Sequence, residues 1–382
     1  MIFIHEHTFI IKNGRYYTSG SLNNKLFQRY KNWFGEVTVF ATKRHATKDD
    51  ERHICEQNEV ACVHFTLVEK RNNVFSIIKN RKKVKQAVSS QDYLVIRIPS
   101  VYGIMAIIYA RKFNKPYLIE MVGCPWDAFW NHSWKGKLVA PFMWYATKKA
   151  IKNAPYVVYV TNEYLQGRYP CKGKTIGCSD VSLPTLDKNI LRKRLNKIHY
   201  TSDNKPVVLG TAAAVNVRYK GQEYVIRAIA KLNKQGYDFE YHLAGGGDNS
   251  FLKFVAEKYG VTDKVKFIGS LTHEKIFNYL DDIDIYIQPS KTEGMPRALI
   301  EAMSRGCPCI GSSAGGIPEL LEKDYVFTRG KYKEIIPILA RINRSKMLDQ
   351  AKRNFEFAKR FDKKILDDRR NGIYPICRTH SS

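Results

Sequence analysis

Acidic residues are scarce in this chain. Its 382 residues carry 36 Asp and Glu against 63 Lys and Arg, a formal net charge of +27. A field of that sign disfavours acidic partners and attracts anions: nucleotides, nucleic acid or an anionic membrane surface. A surface that is merely rich in lysine is the plainer explanation. Long apolar runs are absent too, so no stretch resembles a membrane-spanning helix, which needs ~20 apolar residues. Met1–Ile4 runs straight into His5 and Glu6, which is unlike a signal peptide. The expectation is a cytoplasmic protein, either free or peripheral on the inner face of the cell membrane. The eight cysteines form no CxxC pair and no Cys/His metal spacing. That excludes the common zinc modules and suits a reducing compartment. No cofactor and no metal are expected.

What is present is a large core. Hydrophobic residues make up 44% of the chain and aromatics 12%, and this length is natural for two domains. Short runs rich in Val, Ile, Tyr and Phe alternate with helical patterns. The expected strands are Val37–Ala41, Ala61–Thr66, Tyr93–Ile98, Pro116–Met121 and Tyr156–Thr161, then Pro206–Thr211, Phe239–Ala244, Val265–Ile268, Asp284–Gln288 and Pro308–Gly311. Strand–helix alternation builds parallel sheets with helices on both faces. It occurs twice, with a polar segment between. The expected fold is α/β, with two Rossmann-like domains facing a cleft: a first domain over 1–182, a linker over 183–205, a second domain over 206–350 and a helical segment over 351–382.

The run Pro289–Leu321 carries the most chemistry. Glu293 and Glu301 stand with seven residues between them, the first in a loop ending Gly294-Met295-Pro296 and the second on the helix that starts there. Free N–H groups at a helix start favour phosphate, and a carboxylate on that helix can accept two hydrogen bonds from a ribose diol. This reads as a nucleotide-diphosphate site. Ligands in open α/β sheets bind outside the carboxyl ends of the strands. There, Arg218 and Lys220 either neutralise a pyrophosphate or form a solvated loop pair. Gly246, in Gly245-Gly246-Gly247-Asp248, lets the backbone approach a ligand or simply turns. Phe267, Ile268 and Gly269 are placed for backbone contacts to a base. Asp282-Ile283-Asp284 has the spacing of a metal-binding pair. Asp284, however, opens a strand, so the pair reads as helix-end and strand-start chemistry. In the first domain, Glu120–Gly136 offers Asp127, His132, Trp126, Trp130 and Trp134, a set that suits either sugar or lipid contact or local packing.

Four elements, VRYKGQEYVIRAIAKL, YHLAGGG, VKFIGSL and PSKTEGMPRALIEAMSRGCPCIGS, resemble in this order the nucleotide-binding domain of retaining GT-B glycosyltransferases of the group 1, or family 4, type. The resemblance runs from Val207 to about Leu321, and the last element contains the E-x7-E motif as Glu293 and Glu301. It implies transfer of a sugar from a nucleotide-sugar donor, with a UDP-sugar expected, to a glycan or lipid-linked acceptor. It implies that Glu301 binds the ribose hydroxyls and that Glu293 contacts the transferred sugar. Gly294, Met295 and Pro296 would then lie near sugar and phosphates, with Lys220 on the phosphates. It also implies a last helix that crosses back to the first domain.

Three departures stand out. The arginine that the family places before the lysine is missing from Gly210–Asn216, leaving Arg218 as its substitute. The first-domain histidine lacks a clear counterpart, with Cys124 near the expected strand end and His132 beyond it. The first-domain glycine loop is reduced to Ser19-Gly20-Ser21. Gly20, Asp127 and His132 are the acceptor-side and donor-sugar candidates. Two other readings stay open: a sugar-nucleotide epimerase of the same fold, and a basic nucleic-acid-binding protein, although no nucleic-acid motif is present and no nucleic-acid partner is expected. The basic run Lys79–Lys85, beside Ile77 and Ile78, is the expected contact with an anionic bilayer.

Overall fold

The computed structural model describes residues 1–18, 20, 22–47, 50, 58–70, 74–202 and 204–375. The first half builds one sheet from β1 (Ile2–Lys12), β2 (Arg15–Tyr17), β3 (Thr38–His45), β4 (His64–Glu69), β5 (Leu94–Ile98), β6 (Tyr117–Met121), β7 (Tyr156–Tyr159) and β8 (Lys174–Gly177). Their order is β4-β3-β1-β5-β6-β7-β8, with β2 folded back antiparallel on β1. The other pairings are parallel, and the helices between strands supply the crossovers that parallel partners need. β5 and β6 are buried at every position and are apolar but for one charge each, Arg97 and Glu120, which lie 3.5 Å apart.

β1 is an interior strand of this sheet, between β3 and β5, yet it is missing from the expected strands because His5-Glu6-His7 interrupts its apolar pattern. At that point its register with β3 slips, between Ile4 and Thr8. Each polar side chain is satisfied. His5 Nδ1 meets the Arg97 carbonyl at 3.2 Å, Glu6 accepts from the Tyr102 N–H at 3.2 Å, and His7 Nε2 meets Thr18 Oγ1 at 2.8 Å. Burial keeps both imidazoles neutral, pushing His5 down to about 3 and His7 to about 4.

The second half builds a sheet from β9 (Val207–Ala212), β10 (Phe239–Ala244), β11 (Val265–Gly269), β12 (Ile285–Gln288), β13 (Cys309–Ser312) and β14 (Val326–Phe327), in the order β11-β10-β9-β12-β13-β14. All of these pairings are parallel. The winding reverses between β9 and β12, so the carboxyl ends of these two strands open a crevice. Asp284 lies at the opposite end of the sheet. It accepts from the Val208 N–H at 2.9 Å and pairs with Lys197 at 3.0 Å.

The polar segment between the domains contains a helix, Lys188–Tyr200. Buried Arg194 fixes it to the second domain by donating to the carbonyls of Ile283, at 2.7 Å, and Leu280, at 2.5 Å. The helix Arg344–Ala358 also belongs there. Asn354 Nδ2 donates to the Cys307 carbonyl at 3.0 Å, and the Cys309 N–H donates to Gln350 Oε1 at 2.9 Å. The second domain therefore runs past the expected limit at residue 350. The chain crosses back after Ala358, and the helix Lys363–Asn371 lies on the first domain. Arg370 donates to the Ser179 carbonyl at 2.5 Å, and the Tyr374 hydroxyl donates to buried Glu120 on β6 at 2.8 Å.

Candidate active site

Two loops meet at the crevice. After β9 the chain makes a short turn, Arg218–Lys220, and after β12 it runs from Pro289 to Pro296. The Lys291 N–H donates to the Tyr219 carbonyl at 2.7 Å and ties the two together. Gly221 makes this approach feasible. It sits at φ +74, and a Cβ there would stand 2.1 Å from the Pro289 carbonyl oxygen. The juxtaposition sets Lys220 Nζ 2.7 Å from Glu293 Oε1. The same carboxylate oxygen accepts from Ser290 Oγ at 2.7 Å and from Gln288 Nε2 at 3.1 Å. Three donors therefore fix one orientation of Glu293.

The helix Arg297–Ser304 begins directly after this loop, with no side chain capping its start. Its first N–H groups are thus left for a ligand. One turn on, Glu301 is only 5% exposed. Its carboxylate accepts no hydrogen bond from the described residues, and burial pushes it up to about 7 against the opposing pull of Arg297. A largely desolvated carboxylate of this kind is costly to ionise, and a ligand in the cavity that Glu301 lines can supply donors to it. Lys220, Glu293, Met295, Pro296, Gly246 and Glu301 all line one cavity of about 530 Å³, together with Gln288, Ser270, Leu271 and Arg297. A second cavity of about 890 Å³ shares Leu271, Ile276, Arg297 and Glu301 with it and reaches the first domain at Gly20, Asn23, Arg29 and Asp180.

The Glu293 loop is also wedged against the first domain. A Cβ on Gly294 would stand 2.2 Å from the Val122 carbonyl oxygen, so only glycine fits at that contact. Asn131 Nδ2 donates to Thr292 Oγ1 at 2.7 Å. Glu319 accepts from three first-domain N–H groups, those of Asn162, Glu163 and Tyr164, at 2.7, 3.2 and 2.7 Å.

The chain is similar to known proteins in family and in fold. A model of the family "Glycosyl transferases group 1" matches residues 193–330. Protein CapJ of Staphylococcus aureus is 33% identical over 353 residues, spanning 90% of this chain and 86% of its own. The chain belongs to the group 1 glycosyltransferases. A shorter match, 37% identical over 134 residues, covers 32% of this chain and 33% of the amylovoran biosynthesis glycosyltransferase AmsK of Erwinia amylovora. In fold, the chain is similar to Anabaena HepE in complex with UDP-glucose, with a TM-score of 0.64, 18% identity, and coverage of 100% of this chain and 98% of that one. The whole-chain match identifies the two sheets and the returning helix as a GT-B glycosyltransferase fold.

Several expected residues stand elsewhere in this glycosyltransferase. Arg218 does not line the cavity; its guanidinium lies 3.8 Å over the Phe251 ring. Phe267, Ile268 and Gly269 lie on β11, and the residues that reach the cavity are the next two, Ser270 and Leu271. Asp127 is 1% exposed and its carboxylate is already engaged, accepting from the Tyr164 hydroxyl at 2.5 Å and pairing with Arg329 at 3.1 Å. It holds the domains together rather than facing a sugar in this state. Gly20 lines the second cavity, while Ser19, Ser21 and the side chain of His132 lie outside the described residues. Cys124 is buried, with its Sγ 3.2 Å from the Tyr169 hydroxyl. Gln288 and Arg297 were not among the expected site residues. Their sequence signal was position alone, at the end of a strand and at the first turn after Pro296. No group of His, Cys, Asp and Glu among the described residues is arranged to hold a metal ion.

Proposed function

We propose that the protein is a retaining glycosyltransferase that moves a sugar from a UDP-sugar to a glycan or lipid-linked acceptor in cell-surface polysaccharide synthesis. The observation that carries the reading is the arrangement of Glu301 and the Lys220–Glu293 pair on one cavity at the crevice. Buried Glu301 lacks donors, and a ribose diol supplies two. Lys220 and the uncapped N–H groups of the Arg297–Ser304 helix supply positive charge for a diphosphate. Glu293, held by Lys220, Ser290 and Gln288, contacts the hydroxyls of the transferred sugar. The acceptor enters through the second cavity, from the side of Gly20 and Asn23. AmsK is named as an amylovoran biosynthesis glycosyltransferase and HepE was solved in complex with UDP-glucose; the first supports this choice of pathway class and the second this choice of donor.

The reaction breaks the bond between the anomeric carbon and the phosphate oxygen and forms one to the acceptor oxygen. The acceptor's proton passes to the departing phosphate on the same face, so no protein nucleophile is assigned. Negative charge on the diphosphate grows as the bond breaks, and preorganised cations and N–H groups act at that point. Thermal stabilisation across a panel of nucleotide sugars tests the reading, followed by product analysis with and without an acceptor. Stabilisation by UDP-sugars and transfer that requires an acceptor support it. A rearranged sugar nucleotide formed without any acceptor would establish the epimerase instead.

A further inference from the structure

The helix Trp134–Lys152 carries two apolar faces. Ala140, Met143, Thr147 and Ile151 turn inward and are buried. On the opposite side Trp134, Leu138, Phe142 and Tyr145 recur at helical spacing as a single stripe, and they are 70%, 74%, 70% and 61% exposed. A surface helix of a soluble domain normally turns polar residues outward at such positions, and contiguous exposed apolar surface marks an interaction site.

The same helix carries Lys135, Lys137, Lys148, Lys149 and Lys152 and no acidic residue. Several of these lysines lie along the aromatic surface. Lys135 Nζ is 5.6 Å over the Trp134 ring, Lys137 Nζ 5.6 Å over Trp130 and Lys148 Nζ 4.8 Å over Trp144. The adjoining helices extend the basic field: Val74–Ser89 packs on Val101–Lys112, which packs on Trp134–Lys152. Lys82, Lys83 and Lys85 are exposed on the first of these, and Ile108 is 60% exposed on the second. The side chains of Ile77 and Ile78 lie outside the described residues.

We infer that this face docks on an anionic lipid surface. The Trp134–Tyr145 stripe enters the boundary between headgroups and acyl chains, and the lysines meet the lipid phosphates. The basic run Lys79–Lys85 then supplies long-range attraction, while the apolar contact belongs to the later helix. A second copy of the chain fits less well. Packing this helix against itself would set its lysines against identical lysines with no carboxylate on either helix to pair them. The docked element also adjoins the site. The helix Pro125–His132 packs against it, and Asn131 of that helix holds Thr292 beside Glu293. The docking surface stands on these observations alone. Its consequence, that docking delivers a lipid-linked acceptor to the cleft, rests on the proposed function.

Flotation of the full-length protein tests this, using vesicles of equal parts phosphatidylglycerol and phosphatidylcholine, and vesicles of phosphatidylcholine alone. The expected result is binding to the anionic vesicles at low salt that weakens severalfold at high salt. A protein carrying both Leu138→Ser and Phe142→Ser, at exposed positions, should keep the wild-type Tm while its vesicle partitioning drops at least about tenfold. Paired Lys148→Glu and Lys149→Glu should remove chiefly the salt-sensitive part. Absence of wild-type binding at low salt overturns the inference, as does wild-type binding by the Leu138→Ser, Phe142→Ser protein. So does a dimer in light scattering that those two changes dissolve while the wild type fails to float. The assay contains no nucleotide sugar, so its outcome is independent of whether the proposed reaction holds.

Discussion

Lys220 Nζ lies 2.7 Å from Glu293 Oε1, across the junction of two loops that leave the sheet at its point of reversal. Both side chains are partly buried. A pair in that setting adds little net stability, because desolvation offsets most of the attraction. Its consequence is positional. It holds a cation at the wall of the cavity before any diphosphate arrives, and it presents the second oxygen of Glu293 to whatever occupies the space beside Gln288.

Lys220→Ala should therefore depress turnover more than stability. Loss of one preorganised charge that acts on a developing anion costs about 10²–10³ in kcat. The Tm should move little. Single-turnover rates with saturating donor check this, and a wild-type rate would remove Lys220 from the chemistry.

If Glu301 binds the ribose diol as proposed, nucleotide affinity should depend on pH. Only the ionised carboxylate accepts both hydrogen bonds of a diol, and burial has pushed its pKa up to about 7. UDP binding should consequently release a proton near neutral pH. The dissociation constant should rise as pH falls below about 7, approaching tenfold per unit. Calorimetry in buffers of different ionisation enthalpy measures the proton directly. A flat profile between pH 5.5 and 8 would show that the diol does not bind there.

The same shift has a stability cost whose sign can be worked out. The folded apo protein holds a proton on Glu301 that the unfolded chain has lost, between the ordinary carboxylate range and about pH 7. Stability should fall as pH rises through that window, by up to about 3 kcal/mol, and level off above it. Glu301→Gln removes the charge and the penalty together. The variant should be more stable than the wild type at pH 8, nearly equal to it at pH 5, and weaker in binding UDP at both. Chemical denaturation at the two pH values separates the cases. Equal destabilisation at both would mean that the site is simply packed around a carboxyl group.

Much of the second domain was legible in the sequence because its strands are short, apolar and separated by helices. Phe239–Ala244 begins and ends where the pattern places it. The cavity was legible because Glu293, Glu301 and Lys220 sit at strand ends and at a helix start, positions that periodicity locates. What was hidden depends on contacts distant in sequence. β1 was masked by His5-Glu6-His7, whose burial is tolerable only because Arg97, Tyr102 and Thr18 supply partners. Asp127 sits in a segment rich in Trp, yet its role is decided by Arg329 from the other domain. The apolar stripe of Trp134–Lys152 was obscured because both its faces are apolar, and composition alone does not say which face is buried.

Tyr374 illustrates how strongly the returning helix is anchored. Its hydroxyl donates at 2.8 Å to Glu120, which also accepts from the Tyr30 hydroxyl at 2.7 Å and lies 3.5 Å from Arg97. Tyr374→Phe leaves a buried carboxylate short of one donor, at a cost of roughly 1–3 kcal/mol. The loss should appear in denaturant midpoints, with UDP affinity unchanged, because Tyr374, Glu120, Tyr30 and Arg97 line neither cavity and the network meets only the second, through Arg29 and Asp180. A change in affinity without a change in stability would contradict that separation.

Transfer should proceed without a divalent metal and with retention at the anomeric carbon. The only Asp-x-Asp spacing in the sequence, Asp282 and Asp284, lies at the amino end of β12, where Asp284 is held by Lys197 and the Val208 N–H. It is therefore directed away from the crevice at the carboxyl ends. In the proposed complex the diphosphate would face Lys220 and the uncapped start of the Arg297–Ser304 helix, so its charge would have protein partners. Retention follows from the proposed same-face displacement, in which the acceptor oxygen takes the place of the departing phosphate. Activity should persist in excess chelator, and NMR of the product should show the donor's anomeric configuration. Activity lost in chelator and restored by magnesium or manganese would overturn the metal prediction. An inverted product would require a general base on the opposite face of the sugar, and with it a different assignment for Glu293.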